Sequence, residues 1–444
     1  MTYKELKHKI KDKAAVIGII GMGYVGLPMA SLFADRGYQV KGADINEKIV
    51  KTIMSGQSPI NETGLKEIVR AEVESGRLTA TTDIDSVVKE SDIIVIVVQT
   101  PINDEKRPDL KAFKSACKTV ADNLSKGKLV VIESTIPPGT MKNIVVPTIY
   151  EKTKMTAGRD YFLAYSPERA IPTRTLEEIQ TNSRVIGGIN KESSTLASAL
   201  YSTITTGELM TASLGTAEMV KIIENTYRDV NIALSNEIAM FCEKLGVDAI
   251  EAIKIANKHP RVNLHLPGPG VGGHCIPKDP YFLISKAEEL GMDLKIISSA
   301  RQINESMPSH ILDLIESSLK KIDKDIKTSK VSILGIAYKG NTDDTRGTPS
   351  EKIIKTLMKM DVDLISHDPF VSNDFGGKFS NNLEEVIEDS DCLVILTDHD
   401  IYREMDLKSF TDMMNKPSVI IDGRRILDPE AVEKAGAMYT GIGY

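Results

Sequence analysis

Short unbroken apolar runs alternate with stretches of helical periodicity through the first half of the chain. Ala14 to Ile20 is apolar, ends at a glycine and reads as a buried strand. Gly37 to Ala43 gives a second strand, Asp92 to Val98 a third and Lys128 to Ile132 a fourth, the last followed by the turn-rich Pro137-Pro138-Gly139. Runs without a polar alternate position imply strands covered on both faces, as in a parallel sheet flanked by helices. The middle of the chain changes period. From about Gly215 to Ala256 the pattern is helical, with Val220, Ile223, Tyr227 and Ile238 set among polar residues. A Pro- and Gly-rich loop follows from His259 to Lys278, then a second helical stretch from about Pro280 to Leu319. Strands resume at Val331–Leu334, Val362–Ser366, Cys392–Leu396 and Ser418–Ile421. The expected fold class is α/β, with an α/β domain at each end and a helical domain between them. The boundaries read as 1–214, 215–318 and 319–444.

The first strand runs directly into Gly21-Met22-Gly23-Tyr24-Val25-Gly26, which fits GxGxxG and precedes the apolar helix Leu27 to Ala34. Glycines there allow a tight turn and close approach of a pyrophosphate, and the helix N-terminus offers free N–H groups. Asp44 closes the second strand, about twenty residues beyond the motif, where a carboxylate accepts from a ribose diol and repels a 2′-phosphate. Strand, glycines, helix and acid together predict a Rossmann domain for NAD rather than NADP. Gln99-Thr100-Pro101 and Ser134-Thr135 follow two other strands; their hydroxyls either face the cofactor or serve turns and caps.

Four glycines and two prolines precede a single cysteine in Pro267-Gly268-Pro269-Gly270-Val271-Gly272-Gly273-His274-Cys275-Ile276-Pro277-Lys278-Asp279-Pro280. Such a loop holds a thiol close to a ligand. Asp279-Pro280 is a helix start, so Cys275 stands just before a helix N-terminus and near Lys278, both of which favour thiolate. Asp279 has a plainer role available as the helix cap. Lys221 and Asn225 lie one turn apart, with Arg228 nearly in line; alone, that reads better as a solvated face. Tyr165-Ser166-Pro167-Glu168-Arg169-Ala170 follows an apolar stretch and is not specific by itself.

Composition narrows the class. At 444 residues the chain exceeds one ordinary core. A net charge of −7, without a basic stripe, points away from nucleic acid, so any anionic ligand is held by local groups. Cys117, Cys242, Cys275 and Cys392 form no CxxC pair, which argues against a disulfide framework and a zinc site. The first residues are charged rather than apolar, and Ile93 to Val98 is too short to span a bilayer. A cytoplasmic protein without bound metal or membrane insertion is expected.

In order and spacing, GMGYVG, Ser134-Thr135-Ile136-Pro137-Pro138-Gly139-Thr140, SPERA, the Lys221/Asn225 helix, the GGHCIPKD loop and Gly335-Ile336-Ala337-Tyr338-Lys339 with Asp343-Asp344-Thr345-Arg346 resemble the UDP-glucose/GDP-mannose dehydrogenase family over nearly the whole chain. The resemblance implies an N-terminal Rossmann domain for NAD, a central helical dimerisation domain and a C-terminal Rossmann-like domain for the UDP moiety. It implies a two-step, four-electron oxidation of a sugar C6 alcohol to a carboxylate. Cys275 would be the nucleophile; Lys221, Asn225 and Asp279 would handle protons and the oxyanion; Glu168 would position or activate the hydrolytic water. Gly21, Gly23, Tyr24, Val25, Gly26, Asp44, Thr100, Thr135 and Arg346 would contact NAD. Arg169, Ala170, Lys221, Asn225, Arg228, His259, Arg261, Gly272, Tyr338, Lys339 and Arg424 would contact the sugar nucleotide. The segment His259-Pro260-Arg261-Val262-Asn263 with PGPGVGGH is similar to the branch acting on N-acetylhexosamines, in which Arg261 would reach the neighbouring subunit's site in a homodimer or larger oligomer. Pro277-Lys278-Asp279 is more similar to the glucose branch. The expected substrate order is UDP-N-acetylmannosamine, then UDP-N-acetylglucosamine, then UDP-glucose. Two other classes share some of these features. A single-step dehydrogenase of β-hydroxyacids or 6-phosphogluconate would need no cysteine loop and no C-terminal nucleotide domain, and a non-catalytic nucleotide-sugar binding protein would need neither Cys275 nor Lys221.

Overall fold

The computed structural model describes residues 1–171, 174–372 and 375–444. The chain forms two compact units: Met1–Glu224 with Tyr281–Gly291, and Asn225–Pro280 with Met292–Tyr444.

In the first unit, eight strands make one sheet: β1 (Val16–Ile20), β2 (Gln39–Ala43), β3 (Leu78–Thr81), β4 (Ile93–Ile96), β5 (Leu129–Ile132), β6 (Phe162–Tyr165), β7 (Arg184–Gly188) and β8 (Leu209–Ser213). Their order is β3-β2-β1-β4-β5-β6-β7-β8. Ile17 of β1 sits beside Val40 on one side and Ile93 on the other, both in parallel register. Every neighbouring pair is parallel except β6 and β7, where Ala164 faces Gly188. The central strands β4, β5 and β6 are buried at every position, as their unbroken apolar runs require. Alternate residues feed two cores. Ile93 and Val95 pack with Leu27, Met29 and Phe33 of the helix Gly26–Asp35. Ile94 and Ile96 pack with Phe113, Cys117 and Val120 of the helix Lys111–Asn123. The first six strands have the dinucleotide-fold order, which reverses between β1 and β4, and in sheets of this order ligands bind beyond the carboxyl ends of the strands.

The second unit contains β9 (Lys330–Leu334), β10 (Asp363–His367), β11 (Lys378–Phe379), β12 (Cys392–Ile395), β13 (Val419–Asp422) and β14 (Met438–Gly441). All its pairs are parallel, in the order β11-β10-β9-β12-β13-β14, the same topology a second time. Ile333 and Val394 point to a core shared with Met307, Ile311 and Ile315 of the helix Lys295–Lys321. Leu393 and Ile395 point to the opposite one.

Both helical stretches of the middle are interrupted, contrary to the sequence expectation. The first divides into Leu214–Leu245 and Ala249–Ala256. Gly246 between them has φ +66°, which no right-handed helix accommodates, and Asp248 caps the new start by accepting from the N–H groups of Ile250 and Glu251. The second divides into Asp279–Glu289 and Lys295–Lys321 around Gly291, at φ +70°. Among the described residues, no helix is long and apolar enough to cross a membrane.

Candidate active site

The glycine motif turns out of β1 with three different requirements. A Cβ at Gly21 would overlap the Val97 carbonyl oxygen, and the residue has φ +97°. A Cβ at Gly26 would overlap the carbonyl oxygen of Gly21. At Gly23 nothing lies within 4 Å, so this face of the turn is open to a ligand. Val25 precedes the helix Gly26–Asp35, and the Tyr24 side chain is exposed beside it. Asp44 holds the turn through one oxygen, which accepts from the Met22 N–H at 2.8 Å, while the other accepts from the Asn46 N–H at 2.8 Å. Each oxygen keeps a lone pair, and the residue is only partly buried, so a ribose diol fits the donor set. Thr100 is buried and donates to the Thr135 carbonyl at 2.6 Å. Ser134 both donates to and accepts from the backbone of Val98 at 2.8 Å. These hydroxyls join the ends of β4 and β5, so turn chemistry is part of what they do. Residues Gly21, Gly23, Gly26 and Asp44 together fit a dinucleotide.

Glu168 has most of its acceptor capacity engaged. Oε1 accepts from the N–H groups of Arg169 and Ala170 at 2.5 and 2.8 Å, and Oε2 pairs with the Arg184 guanidinium. Arg184 also donates to Glu133 Oε1 at 2.7 Å. Arg169 donates to the Ser183 carbonyl at 2.7 Å and pairs with Glu224. Lys221 is buried on the part of the long helix that belongs to this unit.

In the second unit the glycine loop delivers Cys275 to the surface. Its carbonyl accepts from the N–H groups of Lys278 and Asp279 at 3.1 and 2.9 Å, forming a tight turn into the helix Asp279–Glu289. Asp279 does more than start that helix: Oδ2 accepts from the Asn225 side-chain amide at 2.6 Å, with both groups buried. Lys278 lies 3.5 Å from Oδ1. Glycine is needed at 272 and 273 because the loop lies against the Tyr338 ring, and a Cβ at Gly272 would overlap it. The Gly273 N–H donates to the Arg346 carbonyl at 2.8 Å, and Arg346 holds Asp344 through two bonds of 2.9 and 2.7 Å. Arg424 donates to the carbonyls of Tyr338 and Leu396 at 2.9 Å and runs beneath Gly268. Burial, then the charges of Lys278 and Arg346, push His274 down to about 4, so its ring is neutral at ordinary pH. Burial and the neighbouring Asp344 raise the Tyr338 phenol. Cys275, Asn225, Asp279, Gly272, Tyr338, Arg346 and Arg424 are thus joined by one connected set of contacts. Arg228 is exposed on the same helix as Asn225, and Lys339 is exposed after Tyr338.

His259 and Arg261 are exposed on a segment tied down at its far side. Asn231 donates to the Asn263 carbonyl at 2.7 Å and accepts from the His265 N–H at 2.7 Å, and Asn257 makes two bonds to Leu264. Sequence reasoning missed Glu133, Arg184 and the buried set Asp229, Asn236, Asn304 and Arg301. A charged residue at the end of an apolar run, as in Val130-Val131-Ile132-Glu133, was the available signal. Among the described residues, no group of three or more His, Cys, Asp or Glu could hold a metal ion.

Residues 15–205 match the NAD binding domain of the UDP-glucose/GDP-mannose dehydrogenase family, residues 215–306 its central domain and residues 332–429 its UDP binding domain. A Methanococcus maripaludis protein named UDP-N-acetyl-D-mannosamine dehydrogenase is 42% identical over 426 residues, which cover 95% of either chain. The solved structure of a Pyrococcus horikoshii UDP-D-ManNAc dehydrogenase is 40% identical with a TM-score of 0.90, covering 96% of this chain and 99% of that one. That of a Methanosarcina mazei NDP-N-acetyl-D-galactosaminuronic acid dehydrogenase is 34% identical with a TM-score of 0.87, covering 100% and 98%.

Proposed function

The chain belongs to the UDP-glucose/GDP-mannose dehydrogenase family, and from that membership we propose that it oxidises the C6 alcohol of UDP-N-acetyl-D-mannosamine to the carboxylate in two steps. The observation that carries the chemistry is an exposed thiol, Cys275, on a glycine loop that leads into Asp279, which a 2.6 Å hydrogen bond locks to Asn225 of the helix Leu214–Leu245. NAD, when bound, supplies the hydride acceptor for both oxidations. Gly21, Gly23, Gly26 and Asp44 hold it, with Tyr24, Val25, Thr100, Thr135 and Arg346 as further contacts. We assign the cofactor to residues 1–214, the cysteine loop to 215–318 and the UDP moiety to 319–444. After the first hydride leaves C6, the Cys275 sulfur adds to the aldehyde carbon as a thiohemiacetal. Loss of the second hydride gives a thioester. Water then bonds to the acyl carbon, the C–S bond breaks with its electron pair on sulfur, and the acid is released. Asn225 and Lys221 stabilise the oxyanion, Asp279 fixes the Asn225 amide, and Glu168 takes the water proton. Arg169, Ala170, Arg228, Gly272, Tyr338, Lys339 and Arg424 hold the sugar nucleotide, with cations matching its diphosphate.

NADH absorbance at limiting substrate tests this directly. Two NADH per molecule of UDP-N-acetylmannosamine are expected, with UDP-N-acetylglucosamine and UDP-glucose slower. One NADH per sugar would replace the covalent route by a single oxidation. Tight binding without any NADH would leave a nucleotide-sugar binding protein.

The working unit is a homodimer. Tyr227, Leu234, Phe241 and Leu245 are exposed at helical spacing along Leu214–Leu245, an apolar stripe that association would cover. In that dimer His259 and Arg261 act on the neighbouring subunit's substrate. Arg261→Ala is expected to raise KM for the sugar nucleotide about tenfold to hundredfold, the weight of one charge-assisted bond. Light scattering should show an unchanged oligomer, and an unaltered KM would remove Arg261 from the site. None of the four cysteines forms a disulfide, which suits the reducing cytoplasm proposed for the protein.

A further inference from the structure

The first sheet changes direction once, between β6 and β7, and this has a chemical result. Because β7 runs antiparallel to β6, its first residue, Arg184, lies at the carboxyl end of β6 rather than the opposite edge. Two carboxyl groups meet it there. Glu133, directly after β5, accepts from Arg184 at 2.7 Å. Glu168, just past β6, pairs with the other guanidinium nitrogen. The Tyr201 ring lies beneath, 4.5 Å from the guanidinium carbon. All four side chains are buried. Arg184 from β7, Glu168 from the segment after β6 and Tyr201 from the helix Lys191–Tyr201 are the charged or titratable groups that face Glu133.

Two carboxyl groups and one guanidinium in a buried space do not balance if both acids are ionised. We propose that Glu133 is a positioning residue for the hydrolytic step, setting through the shared guanidinium of Arg184 how strongly Glu168 draws a proton from water. The proposal rests on the reading of Glu168 as the group that takes that proton. With Glu133 neutral, the Arg184 charge is paired with Glu168 alone. With Glu133 ionised, the two carboxylates divide that charge between them. Burial pushes Glu133 up to about 7, against the pull of Arg184 and with the push of Glu168, so the exchange falls in the neutral range. The step itself involves no change of oxidation state. The water oxygen bonds to the acyl carbon, one water proton passes to Glu168, the C–S bond breaks, and the products are the carboxylate, the Cys275 thiol and one released proton.

The test follows decay of the Cys275 acyl adduct by quenched intact-mass measurement across pH 6 to 8.5, with NAD and UDP-N-acetylmannosamine supplied to the full-length protein. In the parent, decay is expected to speed up about tenfold through the neutral range. Glu133→Gln should flatten that profile while leaving KM and the rate of adduct formation unchanged, and Glu133→Asp should restore the slope. A Glu133→Gln profile that superimposes on the parent overturns the proposal. Glu168→Gln separates the two ideas. If it halts decay by about a hundredfold or more, the Glu168 reading stands whatever Glu133 does. If it decays like the parent, that reading falls and takes the proposal with it. A second readout needs no turnover. A carboxyl group whose folded pKa is raised contributes stability that is present below its unfolded value and is lost as pH rises through the folded one. Glu133→Gln should therefore gain in melting temperature relative to the parent on going from pH 5 to pH 8, and no such gain would also overturn it.

Discussion

Cys275→Ser is expected to lose acid formation by roughly ten-thousand-fold or more, the scale on which removal of a nucleophile acts. A serine hydroxyl at the same place is far less nucleophilic than a thiolate, so the aldehyde is not captured. NAD binding should survive unchanged, because Gly21, Gly23, Gly26 and Asp44 are built on β1 and β2 and owe nothing to the cysteine loop. The sugar nucleotide should also bind, since Tyr338 and Arg424 keep their backbone bonds. Quantifying the uronic acid by chromatography, alongside NAD titration, checks both halves. Parental amounts of acid from the serine variant would end the covalent mechanism.

Asp229→Ala is expected to cost roughly 3–5 kcal/mol of stability, because it removes the fully buried carboxylate that faces Arg301 and leaves the partly exposed Glu305, 3.2 Å away, to face it. Arg301 reaches Asp229 at 2.5 Å, and Asp229 is fully buried. Its effect should extend to catalysis. Asn304 donates to Asp229 at 2.8 Å, Asn236 donates to Asn304 at 2.9 Å, and the Gly268 N–H donates to Asn236 at 2.9 Å. That series of bonds fixes the start of the cysteine loop from beneath, so the loop should loosen at temperatures where the chain is still folded. Calorimetry together with NADH production across temperature would show it. A loss below about 1 kcal/mol would mean that the pair is no stronger than an exposed one.

The parts of the fold legible in the sequence were those with one dominant signal. The runs Val16-Ile17-Gly18-Ile19-Ile20 and Ile93-Ile94-Val95-Ile96 are buried on both faces and admit no other reading. Edge strands lack that signal. Leu78–Thr81 and Leu209–Ser213 mix exposed and covered positions, and Lys378–Phe379 has only two residues. Their pairing depends on a neighbour far away in sequence. Helix ends failed for a related reason. Gly246 and Gly291 were visible, but an isolated glycine within a helical pattern does not announce that its φ is positive. In the candidate site, the loop around Cys275 and the place of Asp44 after β2 were legible in the sequence. The bond between Asn225 and Asp279 was not, because it joins residues far apart in the chain. Arg184 was hidden for the same reason, since its importance depends on the reversal of β7.

Duplicating a nucleotide fold within one polypeptide creates a problem of addressing, and the second sheet contains its answer. Asp368 follows β10 as Asp44 follows β2. Asp44 has room left on both oxygens. Asp368 does not. Its Oδ2 accepts from the N–H groups of Ile336 and Ala337 at 2.7 and 2.9 Å and lies 3.1 Å from His399, while Oδ1 accepts from Phe370 and Val371. The carboxylate that would greet an adenosine ribose is sealed inside its own turn. The two halves can therefore share an architecture and still differ at this one position: one keeps an acid with lone pairs open to a diol, and the other has converted the same acid into a fastener with none to offer.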